Sequence, residues 1–275
     1  RHERRDAARH VVGRAHAPQR RERLDEAPHR ARARNPQRHL LARDDDARAV
    51  GAVARQARVD QAIDQVMIRQ SSNGAFGLWR AESGDFWLDA YVSDFLSRAR
   101  SEGFKIPDLA FRLAMDNLRN RINYAPDFDE DGGDIAYALM VLAREGAAAM
   151  GDLRYYADVK AEAFTTPIGA AQLAAALAFY GDQTRADAMF ARAARMLAGR
   201  MGDDAAVWRA DYGSNLRDAA AVLTLAAEAG TRVIDKDLLA DRIAGTKRGM
   251  STQESVWSLL AARALSSDSI SSNLT

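Results

Sequence analysis

Residues 69–96, RQSSNGAFGLWRAESGDFWLDAYVSDFL, contain the densest set of structural signals in the chain. Three of the nine Phe, two of the four Trp and three glycines fall within this stretch. Its second half repeats large apolar residues at helical spacing, from Trp87 through Tyr91 to Phe95. Asp85 stands where an N-cap is needed. The stretch therefore predicts a Gly-rich connection that leads into an amphipathic helix.

The Gly-rich connection does not have the pattern of a ligand loop. GAFGLW lacks the Gly-Lys-Ser/Thr ending of a phosphate loop and follows no predicted strand. Asn73-Gly74 would suit a β-hairpin, but the helices on both sides leave no room for long strands. The spacing of Gln70, Gly74 and Phe76 resembles the Gln-xxx-Gly-x-Phe/Trp joint of α/α toroids. We expect Gly74 to take a backbone conformation that ends a helix, with the Phe76 ring beside the Gln70 amide.

From Arg58 onward the chain has helical periodicity almost throughout and few strand signals. Ala-rich helices alternate with more charged ones, and five comparable positions in the Ala-rich helices recur 36 to 46 residues apart: Tyr91, Tyr137, Ala175, Ala221 and Trp257. This spacing indicates a repeat of helix pairs. Small residues favour a crowded inner layer, and Arg- and Asp-bearing helices an outer one. The sequence thus predicts an all-α fold of helical hairpins, either an open solenoid or an α/α toroid, with ten helices where a closed six-hairpin toroid has twelve.

The first 57 residues differ in composition from the rest. They hold all five His and 15 Arg but no Lys, and the first aromatic residue of the chain is Phe76. So few apolar side chains cannot offset the entropy of folding, which predicts a disordered or irregular segment. Three explanations stay open: a basic nucleic-acid- or lipid-binding arm, a solvated tail, or GC-rich coding sequence read in a wrong frame, which the composition favours. We therefore divide the chain into residues 1–57, a helical region at 58–266 and a polar tail at 267–275.

Overall composition excludes several classes of function. The formal charge of +1 argues against nucleic acid or a membrane surface as the main partner. Without cysteine, the 275 residues can form no disulfide, thiolate metal site or thiol nucleophile. No apolar run is long enough to span a bilayer. All His lie in the first 57 residues, which leaves no Ser/His/Asp constellation in the helical region. The chain starts without Met, so we expect an internal piece of a longer protein.

An acidic stretch, DFDEDGGD at residues 127–134, is the main candidate for chemistry. Its opening resembles a calcium loop, but Ala138 stands where a bidentate Glu is required. Asp127, Asp129 and Glu130 also resemble the acidic motif of terpene cyclases, which can protonate an alkene. Aromatic residues make up only 7% of the chain, few for a carbocation cavity. A solvated loop whose acids cap the next helix is the simpler explanation.

The four tryptophans are best explained as core residues: Trp79, Trp87, Trp208 and Trp257. The tryptophans and the acidic stretch are the positions considered as candidates for a functional site. We therefore assign no catalytic, cofactor-binding or metal-binding residue, and we expect neither a cofactor nor enzymatic activity.

Three blocks of sequence together resemble the thioester-domain region of bacterial alpha-2-macroglobulins, relatives of complement proteins. The blocks are SSNGAFGLW…GDFWLDAYVSDFLSRARSEGFKIP, DIAYALMVLAREG and STQESVWSLLAARAL. The resemblance covers residues 58–265 and implies an α/α-toroid domain in a periplasmic protease trap that acts as an endopeptidase inhibitor. It leaves open whether the longer chain is membrane-anchored. Thioester-bearing members carry a Cys-x-Glu-Gln motif upstream of the Gly-Phe-Gly-Leu-Trp block. Since this chain has no Cys, no thioester residue can be assigned.

The expected function is thus that of a protease-trap fragment without its own thioester, with proteases as partners. A toroid enzyme of terpene-cyclase type and a helical-repeat binding scaffold are the alternatives. A cyclase requires the acidic stretch to face an aromatic-lined cavity, and a scaffold requires an open concave surface.

Overall fold

The computed structural model describes residues 36–82, 84–200, 209 and 211–272. It divides the chain into two compact units, residues 1–50 and 51–275. The predictions for residues 1–35 and for Trp208 lie outside the described residues.

The described residues form ten α-helices and one short 3₁₀ helix, with a single isolated bridge and no named strand. This confirms the all-α prediction. The helices are α1 (Pro36–Met67), α2 (Phe86–Ser101), α3 (Asp108–Asn123), α4 (Gly133–Arg144), α5 (Met150–Asp158), α6 (Pro167–Phe179), α7 (Gln183–Ala198), α8 (Asn215–Glu228), α9 (Lys236–Ala244) and α10 (Thr252–Ser272); the 3₁₀ helix is Ala161–Ala163.

The helices alternate between an inner and an outer layer. Inner helices α2, α4, α6, α8 and α10 each contact the next one in this order. In α6, every residue from Pro167 to Leu177 is buried, because its alanines allow neighbouring helices to approach on all sides. In outer helix α7 the buried residues form one stripe, which runs from Ala186 through Met189 and Phe190 to Leu197. The predicted repeat positions all lie on inner helices.

Side chains fix the starts of several helices, as their residue types predict. The Asp85 carboxylate accepts a hydrogen bond from the Leu88 amide at 3.1 Å and caps α2. Thr166, Ser214 and Asp235 cap α6, α8 and α9 in the same way. Each bond satisfies an amide that the first helical turn leaves without a partner.

The structure differs from the sequence-based boundaries at two places. Helix α1 begins at Pro36, inside the segment predicted to be irregular. Residues 51–62 of this helix are almost all exposed, as expected where apolar side chains are few. At the other end, α10 continues to Ser272, into the predicted polar tail. Helix α5 ends at Asp158, and Lys160 beyond it donates a hydrogen bond to the Phe128 carbonyl.

Candidate functional site

The connection between α1 and α2 is a rigid joint built on the three residues singled out from the sequence. Gly74 has a φ of +89°, which favours glycine, and it lies directly against the backbone of Leu113 in α3. The Gln70 amide nitrogen donates to the Gly74 carbonyl at 3.4 Å and to the Ala110 carbonyl at 2.8 Å. Gln70 and Phe76 form the isolated bridge, and the Phe76 ring is buried. The predicted structural role of the joint is confirmed.

A buried carboxylate holds the joint to the helices. Asp89 in α2 accepts hydrogen bonds from the Phe76 amide at 2.7 Å and from the Asn117 side chain at 2.9 Å. Arg121 forms an ion pair with it at 3.2 Å. Burial raises the pKa of Asp89, although these three partners act in the opposite direction. Asp89 therefore connects the joint, α2 and α3 through one side chain.

Residues of all five inner helices surround a cleft of about 460 Å³. The lining comes from the C-terminal ends of α2, α4, α6 and α8 and from the middle of α10, and it includes Arg98, Arg144, Phe179, Glu228, Leu260 and Arg263. The walls combine apolar side chains with charges of both signs. A cleft of this size could accommodate a small ligand or one large side chain.

The charges behind this cleft form a network around Asp94. Arg98 bonds Asp94 at 3.0 Å and Glu228 at 2.6 Å, so it joins α2 to α8. Arg144 also contacts Asp94, and the Tyr137 hydroxyl donates to it at 3.0 Å. Burial alone would raise the pKa of Asp94, but Arg98 and Arg144 outweigh it and the pKa is lowered. This network supplies paired charges, and Asp94 stays an anion held by two arginines.

A second network lies at the start of α8. Arg217 bonds Asp218 at 3.0 Å and Asp211 at 2.6 Å, while Arg209 bonds Asp218 at 2.7 Å. Burial acts to raise the pKa of Asp211, but Arg217 and Arg209 outweigh this effect and hold the pKa below its ordinary value. These pairs fix the loop before α8 against the helix.

Glu254 performs a related task at the start of α10. Its carboxylate accepts hydrogen bonds from the Ser251 amide at 2.7 Å and from the Ser214 hydroxyl at 2.6 Å. The hydrogen bond from Arg248 lowers the pKa of Glu254 to about 2, although burial acts in the opposite direction. Glu254 thus joins the first turns of α8 and α10.

Asp134, in the first turn of α4, is the one acid of the predicted stretch with a strongly raised pKa. Burial, together with nearby Asp85 and Asp211, raises the pKa of Asp134 to about 6, and Arg121 opposes this. A carboxyl group with such a pKa could donate a proton near neutral pH. The charged groups that act on Asp134 are three other acids, Asp85, Asp131 and Asp211, and one arginine, Arg121.

The rest of the acidic stretch is exposed and paired. The side chains of Asp127 and Asp129 are 80% and 97% exposed and bind Lys160 at 2.7 and 3.2 Å. Neither lines the cleft described above. The expected capping of the next helix by these acids is wrong, because Gly132 is the N-cap of α4 and no side chain bonds there. Among the described residues, no cluster of three or more potential ligands could hold a metal ion.

The tryptophans divide between core and surface. Trp87 and Trp257 are buried, as predicted, and Trp87 stacks on Tyr91 with ring centroids 5.0 Å apart. The prediction is wrong for Trp79, which is 86% exposed because the joint directs residues 78–79 outward.

The two ion networks are the features that sequence reasoning missed. Asp94 and Arg98 are four residues apart on one helix, a spacing that could have indicated their pairing. Arg98 and Glu228 are separated by 130 residues and carry no such signal.

In the described residues, no helix is long and apolar enough to cross a membrane.

Comparison with known proteins points to one family. No protein-family model matches the chain. The chain is 35% identical over 225 residues to the alpha-2-macroglobulin of Escherichia coli strain K12, a match that covers 77% of this chain and 13% of that protein. A crystal structure of native E. coli alpha-2-macroglobulin, from domain MG7 to the C-terminus, aligns with a TM-score of 0.66 and 32% identity over 77% of this chain and 35% of the other. The E. coli protein activated by porcine elastase aligns with a TM-score of 0.65 and 32% identity, covering 77% and 20% of the two chains.

The match therefore extends over most of this chain but a small part of its relatives, since the chain spans 13% of the length of the E. coli protein. The sequence match and the structural match each cover 77% of this chain. By both criteria, the chain belongs to the bacterial alpha-2-macroglobulin family, within which it corresponds to one helical region.

Proposed function

We propose that this chain is the helical part of a bacterial protease trap, an endopeptidase inhibitor of the alpha-2-macroglobulin type. The observation that carries the proposal is the 35% identity to the E. coli protein over 77% of the chain. A protease, porcine elastase, activates that relative. The partners of the full-length parent protein would be the proteases that such a trap encloses.

The role of the region is packing and shielding, without catalysis. Two of its buried acids are paired: Asp94 with two arginines, and Asp89 with Arg121 and two hydrogen-bond donors. Paired charges of this kind fix helices relative to one another. The described residues thus form a scaffold that can hold or cover a reactive group from elsewhere in the protein.

The arrangement of the hairpins supports an incomplete α/α toroid. Five inner helices are neighbours in consecutive order, and residues of all five line one cleft. A toroid brings its first and last inner helices together, whereas an open solenoid separates its first and last repeats. The ion pair between Arg263 of α10 and Glu102 at the end of α2 links the last inner helix to the first.

Capture by this region would be non-covalent. A thioester requires a cysteine thiolate, and the 275 residues contain none. We place the protein in the periplasm, on the basis of the family resemblance, where it would meet proteases that enter the cell envelope.

A chimera tests the proposal. Residues 58–266 would replace the matched region of E. coli alpha-2-macroglobulin, and trypsin would be mixed with the chimera. Enclosed trypsin should continue to cleave a small peptide substrate, while cleavage of a large protein substrate should fall. Unchanged cleavage of the large substrate, with the chimera folded and cut by trypsin, would refute the proposal. The 275-residue chain alone serves as control and should protect neither substrate.

A further inference from the structure

One dipeptide of the joint is chemically labile. Asn73-Gly74 is the only Asn-Gly pair in the 275 residues. Asparagine is among the thermally labile residues of proteins, and a following glycine makes it more reactive, because glycine has no Cβ to hinder its own backbone nitrogen. That nitrogen can attack the side-chain amide carbon of the asparagine. The joint therefore contains a pair of groups able to start a spontaneous covalent modification.

The reaction at this pair balances without a cofactor. A bond forms between the Gly74 nitrogen and the Asn73 Cγ atom, the bond from Cγ to Nδ2 breaks, and the proton from the Gly74 nitrogen leaves with Nδ2 as ammonia. Water then opens the resulting succinimide ring. Cleavage of the new bond to Cγ yields aspartate. Cleavage of the bond to the main-chain carbonyl of residue 73 yields isoaspartate, in which the main chain runs through the former side chain.

In the folded joint, hydrogen bonds hold both reacting groups. The Gly74 amide donates to the Ser71 carbonyl at 2.9 Å, so its proton is engaged. The Asn73 side-chain oxygen accepts hydrogen bonds from the Ala75 amide at 3.2 Å and from the Ser71 hydroxyl. An asparagine that bonds the backbone two residues further on forms an Asx turn, which fixes its side chain. The Gly74 nitrogen is therefore slow to lose its proton, and Asn73 cannot rotate to present its Cγ atom.

The turn is anchored although it lies at the surface. The Asn73 side chain is exposed, while Gly74 and Ala75 are buried. The Ser71 amide donates to the Ala75 carbonyl at 2.8 Å, and Gly74 lies against the Leu113 backbone. Water and base can thus reach Asn73 in the folded chain, but the reaction has to wait for a local opening that breaks these contacts.

We propose that Asn73 is a deamidation site controlled by the joint, blocked while residues 71–75 keep their turn and reactive once the turn opens. The two products differ in their consequences. Aspartate at position 73 retains an oxygen that can accept from the Ala75 amide, so the joint can re-form. Isoaspartate adds an atom to the main chain before Gly74, which displaces Gly74 from the Leu113 backbone and prevents the native joint from re-forming. The inference does not depend on the proposed function.

Deamidation rates measured by mass spectrometry test the proposal. Trypsin releases residues 70–80 as one peptide, so conversion at Asn73 can be followed after timed incubation of the 275-residue chain at mildly alkaline pH. A synthetic peptide of the same sequence gives the rate without the fold. Each hydrogen bond that must break corresponds to roughly a 2- to 12-fold change in an equilibrium, so the three bonds to Gly74 and Asn73 should slow the folded chain at least about tenfold.

Concentrated urea should raise the rate in the chain to that of the peptide. A chain that reacts as fast as the peptide while circular dichroism shows it to be helical would overturn the proposal. A chain that stays unmodified at Asn73 in urea would overturn it as well.

Two serine variants test whether the turn itself controls the reaction. Ser71→Ala removes the hydroxyl that contacts the Asn73 side chain and the Ala75 carbonyl. Ser72→Ala is the matched control, because it removes an exposed neighbouring hydroxyl and leaves the bonds to Asn73 in place. We expect deamidation in folded Ser71→Ala to be roughly 2- to 12-fold faster than in folded Ser72→Ala, with equal rates in urea. Equal rates in the two folded variants would overturn the proposal.

Discussion

Gly74→Ala should destabilise the helical region strongly, and the structure separates the cost into parts. The φ of +89° costs any residue with a Cβ about 1–2 kcal/mol. In addition, that Cβ would lie 2.0 Å from the Leu113 carbonyl oxygen, so the joint must move away from α3. The movement breaks the hydrogen bonds from Gln70 to Gly74 and Ala110, at about 1 kcal/mol each. The sum is about 3–4 kcal/mol.

Gly103→Ala is the matched control for this substitution. Gly103 has nearly the same φ, +85°, but a Cβ there meets nothing within 4 Å. It should cost only the conformational part, about 1–2 kcal/mol. Thermal melting followed by circular dichroism should therefore show a loss of about 8–15 °C for Gly74→Ala and about 3–6 °C for Gly103→Ala. Equal losses for the two variants would refute the argument that close packing against α3 requires Gly74.

Three further substitutions test the charged groups by thermal melts. Asp134→Asn should stabilise the fold by about 1–2 kcal/mol at pH 7.5, because a pKa raised to about 6 makes ionised Asp134 unfavourable in the folded protein. This gain in stability should disappear as the pH falls from 6 towards 3.8, the ordinary pKa of the group. A gain that does not change with pH would contradict the prediction. Glu254→Gln should destabilise the fold by about 1–3 kcal/mol at neutral pH, since it removes the anion bound by Arg248. Because the pKa of Glu254 is lowered to about 2, this loss of stability should shrink as the pH falls from 4.5. A loss that stays constant with pH would count against the prediction. Asp89→Ala should lower the stability of the fold by about 3–5 kcal/mol, more than Asp89→Asn, because it leaves the buried donors Phe76 N–H and Asn117 unpaired. Equal effects of the two substitutions would argue against the role of Asp89 as their hydrogen-bond acceptor.

The joint was predictable because its signal is local. Gln70, Gly74 and Phe76 lie within seven residues, and the left-handed φ of Gly74 is a property of one residue. What the sequence did not indicate is why the joint cannot move. That depends on the Leu113 backbone and on Asp89, which reach it only after α2 and α3 have packed.

The acidic stretch shows the opposite case. A count of five acids between residues 127 and 134 suggested metal binding, catalysis or helix capping. In the structure, Lys160 bonds Asp127 and Asp129, while Asp134 is left among other acids. Which of these environments each acid enters depends largely on Lys160, Asp85 and Asp211, which are more than 25 residues away, so the local pattern could not distinguish them.

The sequence by itself determined the helices, their alternation between inner and outer layers, and the family. Periodicity and alanine content act over a few residues, and they decide which faces must be buried wherever the helices pack. Only the tertiary structure decided that Arg98 meets Glu228 across the ends of the inner helices, and that Trp79 faces solvent while Trp257 is buried. Burial and pairing depend on atoms that distant segments bring to a site, and no short stretch of sequence contains that information.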